Sequence, residues 1–281
     1  WPNRMRSVHK VQMIDQILTI DYNPLEVKPV SSDKTDLDTL LTADLSQKGI
    51  NYQHQENRYI DFDAERMLPQ YFSNEGPAMA TADLNGDGLD DIFLGGAKGQ
   101  SAELYLSSSS GYIKTTNPFE THKNSEDVQA LFFDADGDGD QDLYVASGGR
   151  AFSQISTDLK DRLYLNTGSG VFEYTKQSAL PLFSGGAVAA ADVDLDGDLD
   201  LWVANRFDTR TYGLPVNSSL LINDGNGQFT PSATESFNQL GMVTTAVFAD
   251  MNADQRPDLI VGGEWMPITV FYNTASGWVK S

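Results

Sequence analysis

Four nonapeptides in this chain place oxygen-bearing side chains at the same four positions. They read DLNGDGLDD from Asp83, DADGDGDQD from Asp134, DVDLDGDLD from Asp192 and DMNADQRPD from Asp250. Positions 1, 3, 5 and 9 are Asp83, Asn85, Asp87 and Asp91 in the first copy, and Asp134, Asp136, Asp138 and Asp142 in the second. The third copy has Asp192, Asp194, Asp196 and Asp200, and the fourth has Asp250, Asn252, Asp254 and Asp258. A hard cation such as Ca²⁺ takes six to eight oxygens at roughly 2.3–2.6 Å. A tight loop supplies them by turning alternate side chains inward and adding the carbonyl of position 7, here Leu89, Asp140, Asp198 and Arg256. One such cluster would read equally well as a solvated turn. Four with one spacing crowd carboxylates that repel one another unless a cation neutralises them. The expected cofactor is structural Ca²⁺, three ions or four. The fourth loop departs from the others, with Gln255 where they have Gly88, Gly139 and Gly197. If that position needs a positive φ, a non-glycine residue there costs about 1–2 kcal/mol.

The elements holding these loops are strands. An EF-hand begins with a similar spacing but needs a bidentate Glu at position 12. Position 12 here is Leu94, Val145, Val203 and Val261. Those residues lie in the short apolar runs IFLGG, LYVAS, LWVAN and LIVGG, bounded by turn residues. The segments entering the loops (PAMATAD, VQALFFD, AVAAAD, TTAVFAD) are also short and apolar. Each loop therefore joins two strands of a hairpin.

The loops begin at Asp83, Asp134, Asp192 and Asp250, which are 51, 58 and 58 residues apart. A second hairpin recurs after each: AELYLSSSSGYI, DRLYLNTGSGVF, SSLLINDGNGQF and ITVFYNTASGWV. Four-stranded antiparallel units at this period predict an all-β fold, a β-propeller with the metal loop between the first and second strands of each blade. A sandwich or jelly roll leaves the long period unexplained.

This unit resembles the FG-GAP or VCBS repeat of integrin α-chain propellers and secreted bacterial proteins, over roughly residues 50–281. The resemblance implies a bacterial surface or secreted protein and a propeller of seven blades, of which four repeats are visible. The opening WPNRMRSVHKVQMIDQILTIDY is similar to the end of an ASPIC/UnbV domain. The domains expected are thus an ASPIC/UnbV-like β element over 1–22, a polar linker over 23–49 and the propeller over 50–281. A short helix is expected in LDTLLTADL from Leu37. The chain reads as a piece of something longer, with the fourth strand of its last blade cut short. The alternative is closure within the chain, with INYQHQEN from Ile50 completing an incomplete blade.

The net charge of −21 argues against nucleic acid, which rewards clustered Lys and Arg. The absence of cysteine excludes disulfides, thiol catalysis and Cys-based zinc sites. No apolar run approaches the ~20 residues that span a bilayer. Loops of this kind fill best where calcium is abundant, so the chain is expected outside the cell or at its surface. No nucleophile elbow or phosphate loop is present, and His9, His54 and His122 fall in no recognisable catalytic motif.

The long connections after the second strands of the second and third units carry Arg150, Phe152, Arg206, Phe207, Arg210 and Tyr212. Arg and aromatic residues are enriched at binding hot spots, so these six are the candidate ligand patch, on the face opposite the metal loops. The expected function is a non-enzymatic calcium-binding propeller module that binds a protein or glycan at the cell surface, beside other domains of a longer polypeptide. The rivals are the propeller of a polysaccharide-lyase-like enzyme and a structural spacer in an adhesin.

Overall fold

The structure is a computed structural model that describes residues 48–281 and, nearer the start, two short strands. The chain divides into two compact units, Trp1–Asp44 and Leu45–Ser281. In the first unit β1 (Met5–Arg6) pairs antiparallel with β2 (Lys28–Pro29), Met5 opposite Pro29. Composition placed Lys28 and Pro29 in a linker; their backbone instead forms a strand. The rest of the 1–22 element, most of the 23–49 linker, the 37–45 helix and His9 lie outside the described residues.

The second unit holds four antiparallel sheets of four strands, each in sequence order. The first sheet comprises β3 (Met79–Ala82), β4 (Asp91–Leu94), β5 (Glu103–Ser108) and β6 (Gly111–Lys114). The second comprises β7 (Asp127–Phe133), β8 (Asp142–Ser147), β9 (Arg162–Asn166) and β10 (Phe172–Thr175). β11 (Ser184–Ala191), β12 (Asp200–Phe207), β13 (Ser219–Asn223) and β14 (Phe229–Pro231) form the third. The fourth is β15 (Met242–Ala249), β16 (Asp258–Glu264), β17 (Thr269–Thr274) and β18 (Gly277–Lys280). These are propeller blades. Their first strands are neighbours, β7 against β3 and β11, and β11 against β15.

Burial follows from that stacking. β8 is buried at every position, because the second blade is covered on both faces. Its run LYVAS is accordingly apolar without alternation. Three apolar clusters sit between consecutive blades: Phe93 with Leu143 and Tyr164, Tyr144 with Val203 and Leu221, and Trp202 with Val261 and Phe271. Beyond the last of these, the fourth blade leaves Val247 and Val279 exposed on its outer side.

Two expectations about the ends of the repeat are corrected. β18 forms a fourth strand, paired with β17 from Phe271↔Lys280 to Thr274↔Gly277, so the last blade has four strands as the others do. Residues 50–60 form no strand and complete no blade. They lie along the first blade, where Gln100 Nε2 donates to Gln53 O and Gln55 N donates to Gln100 Oε1, both at 2.8 Å. Just before them, Gly49 has φ 94°, and a Cβ there would stand 2.1 Å from Tyr112 O, so only glycine fits this approach.

The blades are also tied by a recurring asparagine at the end of the third strand. Asn166, Asn223 and Asn273 donate through Nδ2 to Leu84 O, Ala135 O and Val193 O of the preceding blade, at 3.1, 2.8 and 2.6 Å. Their first-blade equivalent is Ser107, with no earlier blade among the described residues to reach. Asn223→Ala should strand the buried Ala135 carbonyl and the half-buried Leu199 carbonyl, to which Asn223 also donates at 3.1 Å. The expected cost is about 1–3 kcal/mol, read from urea unfolding. Asn226→Ala in the exposed turn beyond it should change stability by under about 0.5 kcal/mol.

Candidate metal centres

Each acidic loop is wound by its own side chains. Asp83 accepts from the N–H groups of Gly86 (2.8 Å), Asp87 (3.1 Å) and Gly88 (2.8 Å). Asp192 does the same from Leu195 (2.7 Å), Asp196 (3.1 Å) and Gly197 (3.0 Å). The third position accepts from the fifth N–H, and the fifth from the seventh, as Asp138 does from Asp140 N at 2.9 Å. The same bond recurs at Leu89, Asp198 and Arg256. This winding turns the odd-numbered side chains to one centre.

Two of the four loops bring three carboxylates together. Oxygens of Asp134, Asp136 and Asp138 lie within 4.8 Å of one another, and so do those of Asp192, Asp194 and Asp200. Such convergence of like charge suits a hard cation held by oxygen. These two triads can hold a metal ion. In the first loop Asp83 and Asp87 have Asn85 between them, so one ligand of the three is neutral. In the fourth, Asn252 Nδ2 donates to Asp254 Oδ2 at 3.0 Å, which engages an oxygen the metal would need.

Position 9 has a second task. Asp91, Asp142, Asp200 and Asp258 are at most 1% exposed, and each accepts two main-chain N–H groups. Oδ2 takes position 2 of its own loop: Leu84, Ala135, Val193 and Met251, at 2.8–3.0 Å. Oδ1 takes the third strand, from Ser107, Asn166, Asn223 and Asn273 at 2.6–2.8 Å. Only Asp200 of the four also joins an acidic triad among the described residues. The expected role of position 9 as simply a ligand is therefore incomplete: it staples the loop to the blade.

Backbone strain ranks the loops. Position 6 is left-handed throughout, at φ 83°, 91° and 103° for Gly88, Gly139 and Gly197 and 67° for Gln255. Position 4 is left-handed as well, which sequence reading missed: Gly86 and Gly137 suit it, while Leu195 (φ 69°) and Ala253 (φ 62°) do not. The first two loops carry no such strain, the third carries one strained residue and the fourth two.

Burial pushes Asp142 and Asp200 up to about 6, against the pull of their N–H donors. Asp136 and Asp194 are raised by burial and then by the adjacent Asp138 and Asp196. Asp83 is lowered, chiefly by the Gly88 N–H.

The opposite face differs from expectation. Arg150, Phe152 and Phe207 are 1%, 6% and 1% exposed, so they present no patch to solvent. Four of the six residues do converge, but around the chain's own segment 61–75. Arg150 Nη2 donates to Glu65 Oε2 at 2.7 Å, and Arg206 bridges Glu75 and Glu264 at 2.6 Å each. Tyr212 donates its hydroxyl to Glu264 Oε2 at 2.6 Å. Phe72, wholly buried, stacks between Phe207 and Tyr212 at centroid distances of 5.5 and 4.7 Å. Phe152 lies apart under Lys98 Nζ at 4.2 Å, and Arg210 is exposed. Asp61, Glu65, Phe72 and Glu75, which complete this clasp, were not singled out from the sequence. Their signal was the density of acidic and aromatic residues before the first blade. His54 and His122 make local bonds, to Glu56 Oε1 at 2.6 Å and the Tyr164 hydroxyl at 2.9 Å.

Four-stranded blades in succession, each with an acidic loop between its first two strands, define a repeat propeller. The chain belongs to the FG-GAP-like repeat family, whose model matches residues 83–145, 146–203 and 212–261, more than half of its length. The first matched segment contains two of the four loops, which reconciles three matched copies with four blades. The matched segments do not include the ASPIC/UnbV-like opening. A comparison with curated proteins found no match.

Calcium titration of the chelated protein should fill the second loop before the third, and leave the Asp250 loop last. Leu195→Gly should tighten the third site roughly tenfold, the equivalent of about 1–2 kcal/mol of relieved strain; an unchanged affinity would mean that strain does not set the order.

The raised Asp142 and Asp200 have a consequence for pH. A folded-state value of about 6 against 3.8 means that the native state holds protons the unfolded chain has lost. Their contribution to stability is therefore present below about pH 4 and lost as pH rises through about 6. A cation favours the ionised form and reverses that loss. The rise in melting temperature on adding calcium should thus grow between about pH 4 and pH 7, measured calorimetrically against a chelated control.

Proposed function

We propose that this chain is a non-catalytic propeller module of a secreted or surface-attached bacterial protein, stabilised by three or four Ca²⁺ ions, that binds an acidic glycan. Asp134, Asp136 and Asp138, and Asp192, Asp194 and Asp200, would hold the two best-defined ions. Bound calcium supplies charge neutralisation and loop rigidity there. The metal loops and the hairpin turns of the third and fourth strands share one face, because both leave the same ends of the strands. That leaves the other face for a partner.

The observation that carries the partner reading is a cationic cleft in a chain of net charge −21. Two adjoining hollows of about 270 and 380 Å³ meet at Tyr59 and Ala151. Their walls carry Arg58, Lys98 and Arg210. An aromatic ring beside several cations suits a sugar ring bearing a carboxylate. A polysaccharide lyase would need an acid and a base converging on such a groove. Tyr59 is the titratable group there besides the cations, and the described cleft lining contains no His, Asp or Glu.

Acidic and neutral polysaccharides should be screened together for binding and for cleavage. Uronate-bearing chains are expected to bind, and Arg58→Ala with Arg210→Ala should weaken binding at least tenfold, about 1.4 kcal/mol. New chain ends would support the enzyme instead, and a blank screen the structural spacer.

A further inference from the structure

The two loops whose carboxylates converge are bonded to one residue, Asn223, at the end of β13. Its main-chain N–H donates to Asp200 Oδ1 at 2.8 Å, and Asp200 belongs to the acidic triad of the third loop. Its Nδ2 donates to Leu199 O of that loop at 3.1 Å and to Ala135 O of the second loop at 2.8 Å. Ala135 lies between Asp134 and Asp136, two of the three carboxylates of the other triad. Asn223 is buried, so these bonds are made away from solvent.

The turn that follows Asn223 meets the same two loops. A Cβ at Gly225 would stand 2.3 Å from Asp198 Oδ2 of the third loop, so glycine makes room for that carboxylate. The Gly225 carbonyl oxygen lies 3.5 Å from where a Cβ of Gly137, in the second loop, would stand. A Cβ at Gly227 would lie 3.5 Å from Asp136 Cβ. Both loops and Asn223 wall one hollow of about 200 Å³. The other blade joints differ. Asn166 and Asn273 also donate through N to a ninth-position carboxylate, Asp142 and Asp258, but neither carboxylate joins an acidic triad among the described residues.

We propose that Asn223 is a positioning residue shared by the second and third loops, and that through it they bind calcium with positive cooperativity. This coupling rests on the reading of both triads as calcium sites. A ligand that orders a segment bears an entropic cost, and a second ligand that needs the same segment ordered does not bear it again. The shared segment is Asn223 with the turn over 224–227. Asp136 and Ala135 hold it from the second loop, Asp198 and Asp200 from the third. Once the second loop is fixed, Asn223 is fixed by Ala135 O, and its N–H already stands where Asp200 needs it. Such coupling is reciprocal, each site raising the affinity of the other by the same factor. Because the unstrained second loop fills ahead of the third, the effect is read at the third.

The test is a calcium titration of the whole chain followed by amide NMR. Gly139 N donates to Asp134 Oδ2 and Gly197 N to Asp192 Oδ2, both at 3.0 Å, so these two amides report the second and third loops. Asp136→Ala, which disables the second site, should move the Gly197 midpoint to calcium about fivefold higher or more. Charge alone would move it the other way, because two carboxylates without a cation are more negative than three with one. In an Asn223→Ser background Asp136→Ala should no longer move Gly197. Serine stands at this place in the first blade, where Ser107 N still donates to Asp91 Oδ1 at 2.6 Å, so the variant keeps the bond to Asp200 and loses the reach to Ala135. Should Asn223→Ser not fold, the wild type still decides: its Asn223 side-chain amide should shift in two steps, with Gly139 and then with Gly197. A side-chain amide that follows Gly197 alone would overturn the coupling. So would a Gly197 midpoint that Asp136→Ala leaves in place or lowers, or a rise that survives Asn223→Ser. Glycine amides indifferent to calcium would overturn the calcium reading itself, and the coupling with it.

Discussion

One buried carboxylate per blade does most to define this structure. The ninth residue of each acidic loop turns inward and accepts two main-chain N–H groups, one from the start of its own loop and one from the third strand. A hydrogen bond to a charged acceptor contributes about 1.5–3 kcal/mol, more than a neutral one. The pair fixes where the loop begins and how it sits over the blade. The third-strand residue held in this way is Asn in three blades, and its side chain then reaches the carbonyl of the preceding loop. One bonding pattern thus positions the carboxylates of positions 1, 3 and 5 and locks blade to blade. The conformation of the loop and the stacking of the blades are therefore linked.

The two ends of the strands solve the problem of excess negative charge differently. At the loop end the carboxylates ahead of the ninth position are exposed or half-buried, and in two loops three carboxylates converge, which suits a cation drawn from solution. At the other end carboxylates are buried or half-buried and mostly paired within the chain, Asp127 with Arg162, Glu65 with Arg150, and Glu75 and Glu264 with Arg206. Removing one member of such a pair leaves a buried charge uncompensated. The arginines of the long connections are therefore part of the clasp that holds segment 61–75 to the second, third and fourth blades.

The loops and blades were legible because their signals are local. The oxygen spacing within nine residues, the absence of Glu at position 12 and the alternation of short apolar runs each depend on near neighbours. They led to hairpins, to four-stranded units and to the family. The left-handed requirement at position 6 was legible from glycine at Gly88, Gly139 and Gly197. The same requirement at position 4 was obscured, because Leu195 and Ala253 occupy it in half of the copies. The recurring Asn166, Asn223 and Asn273 stood in plain view in LYLN, LLIN and VFYN, but what they reach is carried on another blade.

The sequence by itself determined the repeat, the acidic loops and the strand character of what flanks them, since each rests on residues adjacent along the chain. Only the tertiary structure decided what becomes of the arginines and aromatics on the other face. Glu65 meets Arg150 across 85 residues and Tyr212 across 147, and Glu75 meets Arg206 across 131. No local pattern encodes contacts at that separation. Arg and aromatic side chains look alike in sequence whether they await a partner or already hold one, and burial alone tells the two apart.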